Sequence, residues 1–339
     1  MARVTGGELV VKTLAAAGVD TAFGIVSVHN LPIYDAMNRL GGVRPVPVRH
    51  EQAALLMADG YARVTGRLGV AITSTGPGAG NAMGSMVESY WANSPVLHLT
   101  GQIESQHLGK AKGFIHEAKD QLGMLQTSAK WAGRPSSTAD IPVVLGEAIR
   151  QALTGRRRPV AVELPIDFQY FEDEVEVPVF EGFGRVEPSD DELDQAAEIV
   201  AGARRPLIWA GSGVIAADAS AELRALAERL AAGVLTSIGG RGSLPEDHPL
   251  CLGALSWEAP IQELVKAADV LIAVGTRFQG MNTQNWRMSL PETIVHLDVD
   301  AEEIGRNYPT AQGVVGDAKP ALAGLLRRLE SHGQSLDAG

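Results

Sequence analysis

Apolar residues along this chain fall into short, Val-, Ile- and Leu-rich runs separated by longer stretches of helical spacing. Thr21–Val26, Val43–Val48, Leu68–Thr73, Pro95–Thr100 and Pro159–Leu164 are runs of strand length. Between them the pattern predicts helices. The first is introduced by a capping box, Thr5-Gly6-Gly7-Glu8, and stopped at Gly18. The next covers Leu31–Leu40, with Pro32 in its first turn. Others cover Glu51–Val64, about Ala82–Ala92 and about Val143–Leu153. Strands that alternate with helices, and are too apolar for a sheet wetted on one face, predict a parallel, doubly wound α/β domain.

The alternation stops between Asp167 and Glu187, where the chain turns acidic and irregular, and then starts again. A helix over Asp190–Ala201, with Ser189 as its cap, leads to a strand at Pro206–Ala210 and a helix over Ser220–Leu230. Strands at Val234–Ser237, Val270–Val274 and Ile294–Leu297 and a closing helix at Pro320–Leu329 follow. The pattern therefore predicts an α/β chain of two doubly wound parallel-sheet domains, the second Rossmann-like. Their expected bounds are residues 1–168 and 188–330, joined by a linker at 169–187, with 331–339 as a tail or the start of a further linker.

Composition narrows the function classes. A chain of 339 residues with 45% hydrophobic content can bury two cores. A net charge of -11 argues against binding nucleic acid through its phosphates. The one basic run, Arg156-Arg157-Arg158, reads as a solvated turn. No apolar run approaches the ~18 residues that span a bilayer, and the N-terminus lacks the apolar core of a signal peptide. A cytoplasmic protein that needs neither membrane nor nucleic acid is expected. The single cysteine, Cys251, forms no intrachain disulfide and reads as a small buried residue.

Three stretches could carry chemistry, all at strand ends of the first domain, where open α/β sheets bind ligands. One is Gly24-Ile25-Val26-Ser27-Val28-His29-Asn30. The second is Glu51, a carboxylate at the end of a strand and the start of a helix, which as a residue could equally be a helix cap. The third is Thr73-Ser74-Thr75-Gly76-Pro77-Gly78-Ala79-Gly80-Asn81, a glycine-rich strand-to-helix turn that lets backbone approach a ligand closely but lacks the Gly-Lys-Ser/Thr ending of a phosphate loop. In the second domain Gly211-Ser212-Gly213 lacks the third glycine of a dinucleotide fingerprint, which disfavours an oxidoreductase.

The first domain resembles the pyrimidine-binding domain of thiamine-diphosphate enzymes of the acetohydroxyacid synthase and benzaldehyde lyase group. The resemblance rests on Phe23-Gly24-Ile25, Leu31-Pro32-Ile33-Tyr34, Arg49-His50-Glu51-Gln52, Ala58-Asp59-Gly60-Tyr61-Ala62-Arg63, Gly76-Pro77-Gly78 with Asn81, and Thr100-Gly101-Gln102. The second domain resembles the central domain of the same enzymes through Ala267-Ala268-Asp269-Val270-Leu271, Gly275-Thr276-Arg277-Phe278 and His296-Leu297-Asp298-Val299-Asp300. The resemblance implies that Glu51 hydrogen-bonds N1′ of the cofactor's aminopyrimidine and favours its imino form. It further implies that Gly24, Ile25, Val26, Thr75, Gly76, Pro77, Gly78, Asn81 and Gln102 line the ring. His29 falls where benzaldehyde lyase has an active-site histidine, and His116 where relatives carry the glutamine of a Phe-Gln-Glu motif. His50 and His98 are expected to be structural.

Two departures shape the expectations. Arg277-Phe278-Gln279-Gly280-Met281 and Leu255-Ser256-Trp257-Glu258-Ala259 replace segments of the flavin-binding relatives, so FAD is expected to be absent. The family's third domain, with the Gly-Asp-Gly motif that holds Mg²⁺ and the diphosphate, has no counterpart, since Gly316-Asp317-Ala318 lacks the second glycine. No metal ligand is therefore assigned in this chain. The expectation is a homo-oligomeric (dimeric or tetrameric) lyase or synthase, acetolactate synthase-like, acting on 2-oxo acids or aldehydes. Its diphosphate half would come from a partner chain or missing domain. The alternative is a truncated or regulatory homologue that binds another subunit without turnover.

Overall fold

A computed structural model describes residues 3–331; the expected tail at 332–339 lies outside the described residues. The chain divides into two compact units, Met1–Gly184 and Arg185–Gly339.

In the first unit the strands are β1 (Val4–Thr5), β2 (Thr21–Gly24), β3 (Arg44–Pro47), β4 (Gly69–Thr73), β5 (Val96–Gln102), β6 (Trp131–Gly133), β7 (Val160–Pro165) and β8 (Glu172–Asp173). The helices are α1 (Gly6–Ala16), α2 (Leu31–Leu40), α3 (Glu51–Thr65), α4 (Pro77–Ala92), α5 (Gln121–Gln126), α6 (Ile141–Leu153) and α7 (Ile166–Tyr170). Six strands form a parallel sheet in the order β3-β2-β4-β5-β7-β6, while β1 and β8 make a small antiparallel pair. Strand alternation sends Val70, Ile72, Leu97, Leu99, Val160 and Val162 to one face, packed on α1, α2 and α6. Ala71, Val96 and Ala161 face the other way, onto α3, α4 and α5. Val175, Val177, Phe180 and Phe183 also pack on the first core.

The second unit holds β9 (Pro206–Ala210), β10 (Gly233–Thr236), β11 (Cys251–Gly253), β12 (Val270–Val274), β13 (Thr293–Asp298) and β14 (Gln312–Val315). Its helices are α8 (Asp190–Ala201), α9 (Ser212–Ala216), α10 (Ser220–Leu230), α11 (Ala259–Ala267) and α12 (Ala318–Ser331). The sheet order β11-β10-β9-β12-β13-β14 is the Rossmann order. Ile208, Ile272, Val274 and Val295 pack on α8, α10 and α12, and Trp209, Leu271 and Ala273 cover the opposite face. Both units are thus doubly wound and parallel, as the alternation predicts.

The caps behave as read: Thr5 with Glu8, and Ser189 with Glu192, form complete capping boxes, and Gly18 sits at φ +77° just past α1. Several expectations need correction. The helix placed at Ala82 starts at Pro77, because Pro at the first turn and Gly76 before it set a helix entry that the glycines disguise as loop. The pattern along the chain does not show the short strands β1, β6, β8, β11 and β14, too brief to carry a period, or the helices α5, α7, α9 and α11. Cys251 is half-buried on an edge strand, packed at the margin of the second unit's core and not inside it. Arg156-Arg157-Arg158 is more than a solvated turn, since the Arg158 guanidinium lies 4.1 Å from the Tyr90 ring centroid and Arg156 donates to Asn93 at the end of α4. The prolines of Arg44–Pro47 are tolerated because β3 is an edge strand.

Candidate active site

The first sheet reverses direction between β2 and β4, since β3 lies beyond β2 and β5 beyond β4. Such switch points open a crevice at the carboxyl ends of the strands, and every expected site residue lies at one of those ends or on the segment that follows it. His50 is extended and its Nδ1 accepts the Gln52 N–H, so His50, and not Glu51, caps α3. Glu51 is the first residue of the helix. Its carboxylate is therefore spared from capping: Oε2 accepts from Asn81 Nδ2 at 3.0 Å, and Oε1 has no hydrogen-bond partner among the described residues.

The glycine turn between β4 and α4 lies against that carboxylate. A Cβ on Gly78 would stand 3.2 Å from Glu51 Oε1 and 2.8 Å from Ser74 Cβ, so backbone approaches the acid where a side chain could not. Gly76 adopts φ +52°, ψ -107°, a conformation that favours glycine, and a Cβ there would collide with the His116 carbonyl at 2.1 Å. His116 is itself left-handed at φ +62°, and its ring centroid is 5.8 Å from that of His29. His29 is buried, 6% exposed, with Nδ1 unpaired among the described residues. Burial, helped by the nearby His116, lowers its pKa, so the neutral imidazole is favoured.

The loop carrying His29 is built from within. Asn30, fully buried, donates to the carbonyls of Ile25 and Thr73 and accepts the Ser27 N–H. Gly101 leaves room for His29 above β5, as its Cβ would meet the His29 carbonyl at 2.4 Å. Gly24 ends β2 against the Ile72 carbonyl, the Ile25 N–H donates to that carbonyl at 3.2 Å, and Val26 is more than half exposed.

One expected group thus comes together: Glu51, Asn81, Gly76, Pro77 and Gly78 on one side, with His116 and His29 beyond Gly76. The side chains of Thr75 and Gln102 are engaged in hydrogen bonds away from Glu51. The Thr75 hydroxyl donates to Gln121 Oε1 at 2.8 Å, and Gln102 Nε2 donates to Glu163 Oε2 at 2.9 Å. Both lead to the buried Gln121 and Glu163 and the part-exposed Arg134, a cluster that the motifs did not single out. One signal was available: Glu163 is a carboxylate inside the otherwise apolar strand Val160–Pro165. His98 is structural, its Nε2 lying 2.9 Å from Thr73 Oγ1 and full burial pushing its pKa down to about 4. Phe278 is buried against Trp209, His296 and Tyr308, while Met281 is exposed. Among the described residues no group of three or more His, Cys, Asp or Glu could hold a metal ion, and no helix is long and apolar enough to cross a membrane.

Comparison with known proteins finds the family model described as thiamine pyrophosphate enzyme, N-terminal TPP binding domain, over residues 4–124. The model for the central domain of the same enzymes matches residues 193–325. A probable 2-ketoarginine decarboxylase of Pseudomonas aeruginosa is 38% identical over 336 residues, covering 96% of this chain and 58% of the relative. A probable acetolactate synthase large subunit of Methanocaldococcus jannaschii is 37% identical, covering 96% and 56%. The acetolactate synthase large subunit of Corynebacterium glutamicum is 37% identical, covering 96% and 52%. The chain thus spans little more than half the length of these relatives.

Proposed function

The chain belongs, by its N-terminal and central domains, to the thiamine pyrophosphate enzymes, and we propose that it supplies the pyrimidine-activating half of a carboligase, decarboxylase or lyase acting on 2-oxo acids or aldehydes. The observation that carries this reading is the Glu51 carboxylate, held by Asn81 through one oxygen and free at the other, with side-chain-less backbone at Gly78 beside it. That is an acceptor beside bare backbone, an arrangement suited to a planar aminopyrimidine.

Thiamine diphosphate, when bound, supplies a ring that stabilises a carbanion as an electron sink. This chain's residues do the proton work. Glu51 would hold the pyrimidine through Oε1, the oxygen left without a partner among the described residues, and Asn81, donating to Oε2, fixes the carboxylate so that this oxygen keeps its aim. A positioned acid or base of this kind contributes roughly 10²–10⁴-fold. Gly24, Ile25, Val26, Gly76, Pro77 and Gly78 would hold the pyrimidine ring through backbone and apolar groups. His29, favoured neutral by burial, can take a substrate proton near neutral pH, with the His116 ring 5.8 Å away between centroids.

The diphosphate and its Mg²⁺ are, in this proposal, held by residues outside the 339 of this chain, and the working enzyme is a cytoplasmic oligomer that does not require FAD. The relatives' names, 2-ketoarginine decarboxylase and acetolactate synthase, support a 2-oxo acid as substrate. Calorimetric titration with thiamine diphosphate and Mg²⁺ tests the half-site. The chain alone should bind weakly and the assembled enzyme tightly; tight binding by the lone chain would overturn it. A flavin absorbance in the purified protein would overturn the FAD expectation.

A further inference from the structure

Behind the glycine turn lies the buried cluster that the expected site residues do not explain. Glu163, on β7, is 0% exposed, yet its Oε1 pairs with the Arg134 guanidinium. Its Oε2 accepts two amide protons, from Gln102 Nε2 at 2.9 Å and from Gln121 Nε2 at 3.0 Å. Gln121 is 2% exposed and uses its whole amide: Nε2 also donates to the Gly101 carbonyl, and Oε1 accepts the Gly76 N–H at 2.7 Å and the Thr75 hydroxyl at 2.8 Å.

Burying the Glu163 carboxylate costs desolvation that its pairing with the part-exposed Arg134 only offsets, so the pair is a poor source of stability and specificity of arrangement is its better-attested use. Here the arrangement has a direction. A carboxylate paired with arginine only accepts. Both glutamines must therefore turn their NH₂ groups toward Glu163, which obliges Gln121 to turn its oxygen toward Gly76. The N–H so held belongs to the left-handed residue that starts the turn into α4, the helix that sets Gly78 and Asn81 against Glu51.

We propose that Glu163, Arg134 and Gln121 are positioning residues: through the Gly76 N–H they set the turn that aims Glu51. No touching of cofactor or substrate is required of them, and the proposal rests on the thiamine-diphosphate reading only for the identity of what Glu51 serves.

Amide hydrogen exchange on the full chain tests the geometry without cofactor. In Glu163→Gln, whose amide can either donate or accept, the Gly76 N–H should exchange roughly ten-fold faster, the effect of one lost hydrogen bond, while core amides of α1 and β5 keep their rates. Gln121→Met, which removes only the acceptor, should do the same with the ion pair intact, and it serves if Glu163→Gln fails to fold. Equal acceleration at Gly76 and throughout the core, or none at Gly76, would overturn the proposal and leave only a stabilising role. Turnover of the assembled enzyme supplies the second arm: both variants should lower kcat more than they raise the KM for the 2-oxo acid. Should Glu51→Gln remain active while Gly76 responds as stated, the functional reading fails and the positioning device stands.

Discussion

The two units share an architecture and differ in what they do with glycine at the switch point of the sheet. In the first, between β2 and β4, Gly78 brings backbone up to a carboxylate whose second oxygen is unpaired. In the second, between β9 and β12, backbone meets backbone: a Cβ on Gly211 would stand 2.0 Å from the Gly275 carbonyl, and one on Gly213 2.6 Å from the Gly275 Cα. Gly275, at φ +56°, completes the closure. One crevice is arranged around an acid; the other is drawn shut by its own turns. The same residue type at the same place in the fold is therefore no guide to chemistry until its neighbour is known.

That contrast can be broken by exchange of single atoms. Gly211→Ala forces a methyl into a carbonyl, and overpacking of this kind should cost the second unit about 3 kcal/mol in urea unfolding, with the Glu51 site unaffected. A loss of turnover without loss of stability would show that the second switch point is functional after all.

A pH series separates the buried histidine of the first unit from the site. His98, at about 4, lies below the ~6.5 of an unfolded histidine, so the unfolded chain takes up its proton more readily. Its stabilising contribution is therefore present above pH ~6.5 and lost as pH falls toward 4. Between pH 7 and 4, His98→Gln should lose up to ~3 kcal/mol less than the parent. Parallel curves for the two proteins would show that His98 is not held neutral.

Smaller effects are expected on the site itself. Gly78→Ala places a methyl 2.8 Å from Ser74 Cβ, an atom fixed to buried backbone, and 3.2 Å from the Glu51 carboxylate, so it should cost about 1–2 kcal/mol of stability and lower turnover by roughly ten-fold through misplacement of the acid. Asn81→Ala removes a single partly exposed hydrogen bond, worth about 1 kcal/mol, and turnover should fall by about five-fold. If Asn81→Ala proves the more damaging of the two, the carboxylate depends on its hydrogen bond more than on the shape of the turn.

Most of this was legible along the chain, for a physical reason: the inner strands of a parallel sheet are buried on both faces, so Leu68–Thr73 and Val270–Val274 declare themselves as unbroken apolar runs. Capping boxes are equally local, and Thr5 and Ser189 could be read directly. Trp131–Gly133 and Gln312–Val315 could not, because short edge strands are defined by a partner distant in sequence. In the site, Glu51 and Gly76–Gly78 were visible as motifs, whereas the use of Gln102 and Thr75 was not. Their partners, Glu163 and Gln121, are 61 and 46 residues away, and such pairings follow from strand order, which no single segment encodes. Even the role of Glu51 shifted: His50 takes the cap and leaves the acid free.

The most direct measurement of the central claim is the turnover of Glu51→Gln in the assembled enzyme, a substitution that keeps the shape of the side chain and removes its charge. The account predicts a loss of roughly 10²–10⁴-fold with folding intact. A rate near that of the parent would contradict it.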